Sequence, residues 1–123
     1  MTFSTQLYIG WVVFIALLTL IPGKALPDID WNFLSFDKII HFSVFSVLAF
    51  LGSASFKNRS GQMSLLLPLM ISLVIAVLYG TILEYMQTLI PDRGFDYADL
   101  SANIGGSVVG TLLFLYYNTK INK

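Results

Sequence analysis

The chain has no cysteine. Disulfide bonds, thiolate metal sites and cysteine nucleophiles are therefore excluded. Charge is scarce as well: seven Lys and Arg and seven Asp and Glu make up 11% of the 123 residues, and their formal sum is zero. Such a balance supplies no basic surface, so nucleic acid is not an expected partner. Histidine occurs once, at His41. With no HxxxH or HExxH pair, a lone imidazole is thin for zinc, and neither a metal nor a cofactor is expected. Glycine-rich phosphate loops are missing, because Gly105–Gly106 falls inside an apolar run. Ser43 and Ser101 are available hydroxyls, but no nucleophile elbow surrounds either. The N-terminus lacks the basic flank and cleavage site of a removable signal peptide, so residues 6–21 read as a retained first span.

What is abundant is oil. Hydrophobic residues are 56% of the sequence, with a mean hydropathy of +0.77. These values lie far from the soluble average and indicate a membrane protein built as a single domain over residues 1–123. Four apolar runs cover about residues 7–22, 39–56, 65–90 and 100–117. In lipid the backbone must satisfy its own hydrogen bonds, and these runs are too long for strands, which predicts an all-α, four-helix transmembrane bundle. Even the Val- and Ile-rich residues 71–78 are expected to be helical. Residues 53–64 read as a polar connection, and Tyr8, Trp11, Tyr116 and Tyr117 as interfacial anchors. No internal repeat is evident. Four spans put the termini with Lys57, Arg59, Lys120 and Lys123, opposite Lys24, Lys38 and Arg93. Four basic residues against three favour cytoplasmic termini and a multi-pass chain in the cell membrane. Asp28 and Asp30 read as solvated acids on the far side.

Four of the fourteen charged residues fall between Asp92 and Asp99. Glu84 and Gln87 precede this stretch, and Asn103 follows it. At about 1.5 Å per residue, Glu84 lies roughly 10 Å below the end of the third run, and His41 roughly 6 Å below the start of the second at Asp37. Asn103 sits at a similar depth below Asp99. The spacing also gives each helix one polar face: Asp37, His41 and Phe45; Gly80, Glu84 and Gln87; Asp99, Asn103 and Ser107. A buried carboxylate such as Glu84 must be paired, protonated or wet, and Arg93 and His41 are its candidate partners. Asp37 and Asp99 also have the ordinary role of capping helix N-termini. Ala102, Gly106 and Gly110 form a small-residue stripe that permits close helix approach, within one chain or between two copies.

At these residues the chain resembles the VanZ-like family of membrane proteins. The carriers are the segment Asp37-Lys38-Ile39-Ile40-His41-Phe42 with Phe45, then Glu84 and Gln87, then Pro91, Arg93, Asp96, Asp99, Asn103, Gly106 and Gly110. The resemblance covers roughly residues 37–110 and includes the four-span hydropathy. It implies a cell-envelope setting and a link to antibiotic resistance, specifically to the lipid-tailed glycopeptide teicoplanin. It implies no particular reaction. The family's polar positions carry over to Asp37, Lys38, His41, Glu84, Gln87, Arg93, Asp99 and Asn103.

Two readings follow. In the first, a polar site near the outer membrane face binds or acts on a membrane lipid or other amphiphile. His41, Glu84 and Asp99 are then the candidate catalytic groups, with Asp37, Lys38, Gln87, Arg93 and Asn103 as binding groups. Lys38 and Arg93 would hold an anionic head group. In the second, the cluster is an internal lock between helices and the protein is non-enzymatic. A second copy of the chain, docked through Gly106 and Gly110, is a further candidate partner. Proton or ion movement fits less well, because a single buried acid near one surface does not make a path.

Overall fold

The structure is a computed structural model that describes residues 1–22 and 34–123, with side chains described from residue 36 in the second stretch. Lys24, Asp28 and Asp30 lie outside the described residues. Among the described residues four helices follow in order: α1 (Phe3–Thr19), α2 (Leu34–Ser60), α3 (Leu66–Gln87) and α4 (Tyr97–Ile121). No strand occurs among the described residues. Among the described residues, three helical segments, Phe36–Ser60, Leu66–Gln87 and Tyr97–Ile121, are long and apolar enough to cross a membrane. The 17-residue α1 is apolar but shorter.

The distribution of side chains is inverted relative to a soluble protein. Among the described residues, twelve buried side chains are polar or charged and eight are hydrophobic. Meanwhile Leu17, Val74, Leu78, Ile82 and Leu112 stand on the outside, each more than half exposed. An interior with so much polarity and a surface with so much oil is stable only with lipid outside.

Helix ends differ from the hydropathy reading, for local reasons. α2 runs on through Lys57 and Arg59 in its last turn, where basic side chains suit the negative end of the dipole. It stops before Gly61, which takes a left-handed conformation at φ 58°. The expected polar connection over 53–64 is therefore mostly helix, and only residues 61–65 link α2 to α3. α3 ends at Gln87, and residues 88–90 form tight turns ahead of Pro91. Asp92 then adopts φ 64°, a left-handed state that aspartate tolerates better than most residues. α4 starts earlier than expected because Asp96 caps it, accepting from the Ala98 and Asp99 amides at 2.7 and 3.3 Å.

The tightest packing joins α2 to α4. A Cβ at Gly106 would collide with the Phe42 carbonyl, and one at Gly110 with the Ser46 carbonyl. The Ser46 hydroxyl donates to the Gly106 carbonyl at 2.9 Å. The small-residue stripe thus meets α2 of the same chain. α3 closes over this pair through Gly80, whose ideal Cβ position lies 3.0 Å from the Phe45 ring and 3.3 Å from Asn103. A core of Ile15, Phe45, Leu48, Ala49, Ala76 and Leu83 fills the centre. α1 is pinned across it, with the Trp11 indole donating to the Val44 carbonyl at 2.9 Å and the Tyr79 hydroxyl to the Val12 carbonyl at 2.6 Å. Trp11 is thus an inward fastener in the middle of α1, not an anchor at its end. Tyr8 packs edge-on against Phe56, with centroids 5.6 Å apart. At the other end of the sequence, Tyr116 and Tyr117 face outward.

Candidate functional site

The start of α2, the end of α3 and the start of α4 meet in one polar layer. Its depth is set differently on each helix than the apolar runs suggest. Glu84 lies in the last turn of α3, about 4.5 Å from its end, while His41 and Asn103 lie about 10 and 9 Å inside α2 and α4. The longer helix starts at Leu34 and Tyr97 account for the difference.

His41 is the hub. It is buried, and its Nδ1 lies 2.9 Å from the Asn103 amide oxygen. That oxygen only accepts, so Nδ1 carries the proton. Glu84 Oε1 stands 3.9 Å from the same nitrogen. The other ring nitrogen, Nε2, looks toward Asp37 Oδ1 at 3.7 Å and Asp99 Oδ2 at 3.6 Å. Asp37 and His41 are one helical turn apart on α2, the geometry that brings i and i+4 side chains together.

Lys38 is bonded to acids. Its ammonium donates to Asp96 Oδ2 at 2.9 Å, to Asp99 Oδ1 in a closer contact, and to Asp37 Oδ2 at 3.5 Å. The lysine beside Asp96 holds that carboxyl below the usual range. Lys38 therefore neutralises neighbours, where the sequence suggested a holder of anionic head groups. Capping also falls differently. Asp96 is the N-cap of α4, and Asp99, two positions further in than the first helical residue, is freed to face Lys38 and His41.

Glu84 is 1% exposed. It accepts from the Asp96 amide at 3.4 Å and faces His41, but it does not pair with Arg93. Arg93 turns instead to the end of α1, donating to the Ile21 and Thr19 carbonyls at 3.3 and 3.2 Å. Gln87 donates to the same Thr19 carbonyl at 2.9 Å. A helix C-terminus leaves its last carbonyls without partners and carries negative potential, so a guanidinium and an amide both suit it.

The eight expected site residues thus fall into two groups. Asp37, Lys38, His41, Glu84, Asp99 and Asn103 form one connected cluster. Gln87 and Arg93 form a second group on α1. Between them, among the described residues, lies a cleft of about 460 Å³. Asp37, His41, Asp96 and Asp99 line it beside Gln87 and Arg93, and Leu18 and Val44 add apolar wall. Sequence reasoning left Asp96 out of the site. Its signal was present, since an acid three residues before another acid at the start of an apolar run is the spacing of a cap and its N3 partner. The Thr19 carbonyl has no such signal, because a backbone acceptor leaves no mark in the side chains.

No curated protein and no solved structure matches this chain. Residues 2–118 match the family described as VanZ/LLP1, a span that reaches beyond residues 37–110, where the recognisable motifs lie. The polar cluster falls wholly within that match, and the chain belongs to the VanZ/LLP1 family.

Proposed function

We propose that the protein is a multi-pass protein of the cell membrane, with cytoplasmic termini, that takes the polar head of an envelope lipid or other amphiphile into the cleft beside His41. One observation carries this reading. A cleft of about 460 Å³ lined by charged side chains opens at one end of a helix bundle whose outer surface is apolar. That volume matches the range of small-molecule sites, about 300–1,000 Å³. Asp37, Asp92, Asp96 and Asp99 line it against Lys38 and Arg93, so four acids meet two bases. Such a lining favours a head group rich in hydroxyl or amino donors over a bare phosphate. His41, Glu84 and Asp99 are the groups for proton transfer, and the remaining polar positions orient the head. A role in tolerance of lipid-tailed glycopeptides such as teicoplanin follows if the bound lipid belongs to the envelope those drugs attack.

The test is lipid capture by the purified protein, read by native mass spectrometry, for wild type and Asp37→Asn. Asp37 is half exposed at the cleft, so its loss should weaken capture without unfolding the chain. Identical lipid profiles for the two proteins would remove the cleft from the function.

A second reading is favoured by the near-saturation of the cluster, in which Lys38, His41 and Asn103 already have partners. There the network is a helix lock and the protein is a structural or accessory component. This reading expects cellular phenotype to follow protein abundance across Glu84→Gln and Arg93→Ala. A normal amount of folded Glu84→Gln protein with a lost phenotype would count against it.

A further inference from the structure

We propose that Asp37, His41 and Asp99 form a three-ligand site for a divalent transition-metal ion of borderline softness, such as Zn²⁺ or Co²⁺, with an open coordination position toward the cleft. The proposal does not depend on amphiphile binding. It begins with lone pairs. With Nδ1–H directed to Asn103 and the ring neutral, as ligation of a metal requires, the Nε2 lone pair points at Asp37 Oδ1 and Asp99 Oδ2. Among the described residues Nε2 has no hydrogen-bond partner, although the His41 side chain is only 8% exposed. Three acceptors thus face one another around a point that holds no donor. A cation at that point resolves the conflict.

The neighbours are arranged as such a site requires. A ligating histidine ordinarily donates its second nitrogen to an oxygen acceptor that fixes ring and tautomer, as Asn103 does here. Lys38 binds Asp99 through Oδ1 and Asp37 through Oδ2, so the other oxygen of each carboxylate is left toward His41. Metal–ligand distances of about 2.0–2.2 Å imply ligand–ligand edges of roughly 3.3–3.6 Å in a tetrahedron. The two edges from Nε2 are 3.7 and 3.6 Å, and all three ligand atoms lie within 4.8 Å of one another. A small rotation of the half-exposed Asp37 completes the geometry. Charge points the same way, since Asp37, Asp96 and Asp99 surround the one ammonium of Lys38, and Glu84 adds a fourth carboxylate on the Nδ1 side of His41. One imidazole with two carboxylates suits a borderline ion better than Mg²⁺ or Ca²⁺, which favour all-oxygen shells. All three ligands line the cleft, which gives an ion a way in and leaves room for a fourth ligand.

The test uses full-length, tag-free protein in detergent, stripped with a chelator and titrated with Zn²⁺ and Co²⁺. Stoichiometric binding of one ion per chain is expected, with Co²⁺ giving the visible absorption of a low-coordinate nitrogen–oxygen site. Asp37→Asn should weaken affinity by at least tenfold, and His41→Gln should abolish the Co²⁺ spectrum. Glu84→Gln, which touches the ring only on its Nδ1 side, should retain binding within a few-fold. Absence of stoichiometric binding to folded wild-type protein overturns the proposal. So does binding that Asp37→Asn leaves unchanged, a result that keeps the test decisive even if His41→Gln fails to fold.

Discussion

Lys38 carries more of the local charge balance than any other single residue. It is the one ammonium among Asp37, Asp96 and Asp99, and its side chain is 22% exposed while that of Asp99 is 9% exposed. Removing one partner of such a group leaves an uncompensated charge, which costs more than the pair is worth. Lys38→Met should therefore destabilise the protein by about 3 kcal/mol, the low end of the range for buried pairs because the cleft admits water. Unfolding in mixed micelles would measure it. Adding Asp99→Asn to that variant should recover part of the loss, since the stranded carboxylate is gone. If the double variant is instead less stable by the sum of the two single losses, Lys38 and Asp99 do not act as a pair.

At the scale of the helices, the α2–α4 seam rests on missing side chains. The backbone carbonyls of Phe42 and Ser46 occupy the places that Cβ atoms of Gly106 and Gly110 would take. Neither carbonyl can swing aside, so Gly110→Ala should force the helices apart at a cost of about 1–3 kcal/mol, the usual range for overpacking. Gly105→Ala is the internal control. Its Cβ would meet the Phe42 ring at 3.6 Å, an ordinary contact, and its stability should stay within about 0.5 kcal/mol of wild type. Thermal melts in one detergent compare the two. Equal melting temperatures would mean that the seam tolerates a methyl and is looser than described.

That seam also shows what the sequence made legible. Helix number, order and buried faces followed from apolar runs and four-residue spacing, because lipid leaves a long oily segment no alternative but a helix. Asp37, His41 and Asn103 were expected to converge, and they do. Helix ends were harder to read. Lys57 and Arg59 belong equally well to a loop or to a last helical turn, and hydropathy cannot separate the two cases. Partner choice was hardest. Arg93 and Glu84 look complementary in the sequence, yet Arg93 meets the carbonyls of Thr19 and Ile21. Backbone acceptors at a helix end are the same for every sequence.

For the whole molecule, the arrangement of ends is fixed by contact. The Asn58 amide at the close of α2 donates to the Ser4 hydroxyl at the opening of α1 at 2.8 Å, so those two ends lie together. The loop through Gly94 belongs to the opposite end, beside Thr19. Because the chain has no cysteine, single cysteines make clean reporters. Gly94→Cys should react with a membrane-impermeant maleimide added to intact cells, while Thr2→Cys and Lys123→Cys should react only after permeabilisation. The reverse pattern would invert the orientation and turn the cleft to the cytoplasm.

The brevity of α1 bears on the bilayer itself. Seventeen residues make a rod of about 26 Å, whereas the 27 residues of α2, on which α1 packs, make one of about 40 Å. Neighbours so unequal create a hydrophobic mismatch on one side of the bundle, met by thinning of the adjacent leaflet and by tilt of the longer helices. Leu18 and Thr19, at the end of the short helix, line the cleft. If the proposed amphiphile binds there, head groups drawn down beside the mouth would let it reach His41 with less of its tail leaving the hydrocarbon. The protein should then be more stable, and should capture lipid more readily, in short-chain than in long-chain phosphatidylcholine vesicles. Indifference to acyl length would show that the dip does not form. On this account the short helix sets the depth at which the bilayer meets the site.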